Sequence, residues 1–133
     1  METTRGLITF QHREIIDLLS QIVSKDVPLQ NQIIQKINDH LALVDVHFYP
    51  YFDVKAECIS TSTYIQDTNA FLITLMDGWN SKTGSQWVAR AEEIRTAFAA
   101  HTNDEEIALF NHLESTFSEE EREIIRTAIT GEI

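Results

Sequence analysis

The strongest constraint on this chain is the spacing of residues between Trp87 and His112. Trp87, Ala91, Ile94, Phe98, His101, Glu105, Ala108 and His112 recur at intervals of three and four. That period lays them along one face of a helix, the face that turns inward. His101 and Glu105 stand four residues apart on it, so the helix sets an imidazole beside a carboxylate on its core side. A buried charge without a partner costs several kcal/mol or neutralises itself. A bound cation answers both groups together, because it takes a neutral imidazole and an ionised carboxylate.

The same period runs through the rest of the chain. Ile8, His12, Ile15, Leu19 and Ile22 stripe a first helix from Leu7 to about Ser24. Ile33, Ile37, His40, Val44 and His47 stripe a second, opened by Pro28 and running to Tyr49, where Pro50 kinks or ends it. Asp53 to Thr61 reads as a connection, with Ser60, Thr61 and Ser62 as candidate N-caps. A third helix follows from Ser62 to Trp79. After a turn at Asn80 to Gly84, Ser85 caps a fourth, from Gln86 to Glu114. Ser118 and Glu121 fit a capping box that starts a short final helix ending near Gly131. With 4 glycines, 2 prolines and no run of β-branched alternation, the expectation is all-α. Residues 1–133 read as one domain, an antiparallel up-down four-helix bundle with a short C-terminal fifth helix.

Folding the first two helices about their turn places His12 and His40 at one height, each roughly thirteen residues from the turn at ~1.5 Å per residue. Folding about the second turn brings Asn69 to Leu72 opposite His40. Inward histidines on three helices, with Glu105 beside one of them, therefore point to a metal site. Imidazole suits iron, zinc, copper and nickel, and a carboxylate narrows the choice toward iron or zinc. His12, His40, His101 and Glu105 are the candidate ligands. Tyr49, Tyr51 and Tyr64 fit either a place near the site or core packing. Glu106 and Asp45 fall off the stripes and are expected in solvent.

Other chemistries lack their motifs. The chain has no His-Glu-x-x-His, no Glu-x-x-His, no glycine-rich phosphate loop and no Cys-x-x-Cys. A formal net charge of −11 argues against nucleic acid and anionic membrane surfaces. No apolar run approaches the ~20 residues of a membrane span. Cys58 is alone, and residues 1–6 do not read as a signal peptide, so a cytoplasmic location is expected.

Three segments carry a resemblance. His12 followed by Ile15, Leu18 and Leu19 is similar to the first helix of hemerythrin-like (HHE cation-binding) domains. His40-Leu41, then Asp45 and Phe48-Tyr49-Pro50, is similar to that family's second-helix motif, and His101 through Glu105-Glu106 to Leu109-Phe110 to its fourth-helix copy. The resemblance spans essentially the whole chain. It implies a non-haem iron centre inside the bundle, as one or two ions with zinc as the other candidate. It also implies oxygen or nitric oxide as a small ligand, bound or sensed. His12, His40, His101 and Glu105 fall at ligand positions.

The chain departs from the family twice. Val44 stands where the family has a bridging carboxylate, and Asn69 where it has a third-helix histidine. The implied di-iron ligand set is therefore incomplete. His47, three residues past Val44, could supply a substitute ligand. Three readings follow: a metal-binding or sensing module, a non-haem iron redox enzyme acting on peroxide or nitric oxide, and a metal-free interaction bundle.

Overall fold

The computed structural model describes residues 2–131, and no strand occurs among them. The helices are α1 (Thr4–Ser20), α2 (Val27–His47), α3 (Tyr49–Asp53), α4 (Ile59–Asp77), α5 (Gly84–Asn103), α6 (Phe110–Ser115) and α7 (Glu119–Thr130), with a π-helical segment (Asp104–Leu109) joining α5 to α6. None is long and apolar enough to cross a membrane.

Local chemistry explains the starts. Thr3 Oγ1 accepts from the Gly6 N–H at 2.9 Å, which opens α1 earlier than the expected Leu7. The Asp26 side chain accepts from the Leu29 N–H at 3.0 Å, and Pro28 lies in the first turn of α2, where its missing N–H costs nothing. Ser118 and Glu121 form the reciprocal capping box of α7, and Gly131 ends it with φ +71°.

Other boundaries also differ from expectation. Phe48 leaves helical geometry at φ −125°, so α2 stops at His47. Pro50 then sits in the first turn of α3, a short helix that begins at Tyr49, where the second helix is expected to end. The connection that follows is shorter than expected, because α4 begins at Ile59 rather than Ser62. Thr83, without a side-chain cap, precedes α5, so Ser85 lies inside the helix.

Packing gives an all-helical bundle. α1 packs on α2 and α5, α4 on α5, α3 on α2 and α4, and α7 on α1 and α2. The aliphatic part of the core includes Ile8, Ile15, Ile33, Ile37, Ile65, Leu72 and Ile94, all buried. Aromatic groups close it on either side of the His40 level. Trp79 and Trp87 stack at 4.9 Å between ring centroids, and Trp87 Nε1 donates to Gln30 Oε1 at 2.7 Å. Beyond Val44, Phe48 meets Phe52 edge-on at 4.8 Å, and Phe52 meets Phe117 at 5.1 Å. Between these apolar plugs lies one polar level, held by α1, α2, α4, α5 and the π-helical segment.

Candidate metal centre

At that level the structure brings together His12 from α1, His40 from α2, His101 from α5 and Glu105 from the π-helical segment. All four are buried, none above 1 % exposed. Each offers one ligand atom, and these atoms lie within 4.8 Å of one another. The three Nε2 atoms surround one oxygen: Glu105 Oε1 is 2.7 Å from His12 Nε2, 3.1 Å from His40 Nε2 and 3.0 Å from His101 Nε2. His40 Nε2 is 3.2 Å from His12 Nε2 and 2.9 Å from His101 Nε2.

The outer nitrogen of each ring is engaged separately. His12 Nδ1 lies 2.7 Å from Glu106 Oε2, His40 Nδ1 2.8 Å from Gln11 Oε1, and His101 Nδ1 2.6 Å from Asn69 Oδ1. A carboxylate oxygen and two amide oxygens only accept, so each Nδ1 carries the proton and donates it. The inner Nε2 atoms of neutral rings are then lone pairs. Two lone pairs 2.9 Å apart repel unless a cation stands between them. Outer nitrogens donating to oxygen while inner nitrogens converge is how protein sites orient imidazoles toward a metal. Three nitrogens and one oxygen form a four-donor set of the kind that zinc or iron takes. The group could hold a metal ion.

Electrostatics follow from this crowding. Burial pushes Glu105 toward protonation, but the charges of His101 and His40 and hydrogen bonds from His101 and His12 hold its pKa well below the carboxylate range. Burial also lowers His12, yet hydrogen bonds and charge from Glu105 and Glu106 outweigh it and raise the ring's pKa. For His40 burial wins: its pKa is lowered, with Glu105 opposing and the neighbouring imidazoles assisting.

The π-helical segment explains why two consecutive carboxylates reach one ring. Its wider turn narrows the angle between successive side chains, so Glu105 faces His12 Nε2 while Glu106 faces His12 Nδ1. It also displaces the downstream stripe. Leu109, Phe110 and Leu113 are buried there, whereas Ala108 and His112 are only half-buried.

Several residues stand differently from their sequence expectation. His47 is exposed and outside the four-residue group, because the buried face of α2 passes from Val44 to Phe48, one full step of four. Glu106 is a correction in the other direction: its side chain is 30 % exposed and bound to His12 rather than solvated. Asp45 is exposed, as expected; Tyr64 is exposed as well, and Tyr51 is half-buried. Tyr49 belongs to the site: its hydroxyl donates to Glu105 Oε2, and Asn69 Nδ2 donates to the Tyr49 oxygen at 2.9 Å. Burial and the adjacent Glu105 charge push the phenol far up, so it stays an O–H donor. Gln11 and Tyr49 were not among the ligand candidates. The signal that could have found Gln11 is its place beside His12, one position round the helix toward α2.

A cavity of about 140 Å³ lined by Gln11, Glu14, Ile15, Lys36, Asp39 and His40 adjoins the site. A larger one, about 650 Å³, lies between α4 and α5 at Phe71, Leu75 and Ala97 and touches none of the four converging residues. No family model, curated protein or solved structure matches this chain.

Proposed function

We propose that this chain is a hemerythrin-like up-down four-helix bundle that holds one non-haem metal ion, iron in preference to zinc. In this reading it is a binding or sensing module for a small diatomic ligand such as oxygen or nitric oxide. The observation that carries the reading is the convergence of three imidazole Nε2 atoms on Glu105 Oε1, with each Nδ1 already committed to an oxygen acceptor.

Stoichiometry follows from the same geometry. His12, His40, His101 and Glu105 all face one point, enough donors for one ion. Val44, fully buried, offers nothing to a second ion. Asn69 spends its amide on His101 and Tyr49 instead. An iron ion bound there would supply a coordination position for the diatomic ligand.

Metal analysis of the protein after purification and after anaerobic loading with Fe(II), with absorption spectra under air and under reducing conditions, tests the proposal. One iron per chain, with a spectrum that changes on exposure to oxygen or nitric oxide, is the expected result. Two irons with the absorption bands of an oxo-bridged pair would overturn the single-ion reading, and no bound metal would overturn the function.

A further inference from the structure

We infer that Tyr49 sets the coordination number of the site by withholding one oxygen of Glu105 from the ion. The inference rests on the metal-binding reading above. Four side chains line one flank of the site, joined by three hydrogen bonds. His101 Nδ1–H donates to Asn69 Oδ1 at 2.6 Å, and Asn69 Nδ2–H donates to Tyr49 Oη at 2.9 Å. Tyr49 O–H donates to Glu105 Oε2, while Glu105 Oε1 and His101 Nε2, both lone-pair donors to an ion, face each other at 3.0 Å. The direction of every bond is forced. Glu105 Oε2 can only accept, and Asn69 already donates to the phenol oxygen, so the phenol proton goes to Glu105.

The consequence is chemical. A carboxylate with both oxygens free can chelate one ion through both. Glu105, with Oε2 held by Tyr49, offers Oε1 alone. Three nitrogens and one oxygen then make a four-coordinate set that suits Fe(II), Zn(II) or Co(II) and disfavours larger ions that want more oxygens. The position that a second carboxylate oxygen would fill stays open to a small ligand. Tyr49 is thus a positioning residue: it reaches the ion only through Glu105.

Cobalt(II) alone, titrated into the metal-free chain, reads this out, because four-coordinate Co(II) absorbs intensely in the visible and five- or six-coordinate Co(II) weakly. The unmodified protein should give the intense bands at one equivalent. Tyr49→Phe frees Oε2, and its cobalt bands should fall roughly twofold or more as the carboxylate closes onto the ion. Equal band intensity in the two proteins, or weak bands in the unmodified one, would overturn the role of Tyr49 while leaving the metal site standing. Failure of the unmodified protein to bind cobalt would overturn both. If Tyr49→Phe does not fold, the infrared carboxylate bands of the unmodified cobalt protein decide. The wide splitting of one-oxygen coordination, shifted when the phenol is deuterated, supports the inference, and the narrow splitting of chelation overturns it.

Discussion

Glu106 stands one residue past a ligand candidate, and its contact with His12 Nδ1 gives it a measurable task. Glu106→Gln keeps an acceptor oxygen but removes the charge that raises the basicity of His12. Metal affinity should fall about tenfold, the lower end of what such outer partners contribute. Chelator competition measures it, and an unchanged affinity would mean that Glu106 is incidental. On the proposed hemerythrin-like reading, Val44→Glu with Asn69→His adds two donors and should raise the metal content, read by elemental analysis, from one ion toward two. The sequence made His12, His40, His101 and Glu105 legible because all four fall on stripes that must be buried. It concealed Glu106 and Gln11 because each sits one position off a stripe, where a solvated side chain is the usual outcome. Tyr49 was ambiguous for another reason: an aromatic beside Phe48 reads as packing until its hydroxyl has a partner.

At the scale of elements, the first three long helices follow from their period and caps with only their ends moved, while the fourth is interrupted by a π-helical segment. Thr4 and Ile59 start helices earlier than Leu7 and Ser62, since a Thr3 cap and the run from Cys58 extend them. The π-helical segment was not legible at all, because a period of three and four continues smoothly through residues 101–112 on paper. Its role is testable by deleting Ile107, an exposed residue inside it. The deletion should return the segment to α-helix, keep Leu109 and Leu113 in the core, and swing Glu106 away from His12. Circular dichroism should stay helical while metal affinity drops roughly tenfold or more. Full retention of affinity would show that the wide turn has no part in the site. At α7, Ser118→Ala removes the hydroxyl that accepts from the Glu121 N–H and should cost about 1 kcal/mol in denaturant unfolding. A loss near zero would place the capping box outside the cooperative fold.

For the whole molecule, the polar level couples stability to pH and to metal. In the metal-free protein, Glu105 has a lowered pKa, so its contribution is present above its ordinary value of 4.5 and is lost as pH falls through the folded value. His40 is also lowered, so below 6.5 the unfolded chain binds a proton that the folded one refuses, and stability falls with pH. His12 has the opposite sign: its raised pKa favours the folded state below 6.5 and that contribution fades as pH rises through the folded value. His12 and His40 therefore oppose each other near neutrality, and the steep loss belongs to Glu105 in acid. Metal at ~100 times its dissociation constant adds about 2.7 kcal/mol, or roughly 10 °C in melting temperature. Protons compete for the same nitrogens, so this increment should shrink below about pH 5–6. Melting scans with and without chelator across that range measure it, and an increment that does not vary with pH would contradict imidazole ligation. The central claim, that this level of the bundle is built around a cation, meets its most direct test in the metal-to-chain ratio. That ratio is measured by elemental mass spectrometry on the unmodified protein and on Glu105→Gln, each loaded with Fe(II) and then desalted. The account predicts one ion per chain in the first and a large loss in the second. No retained metal in the unmodified protein, or equal retention in both, would contradict it.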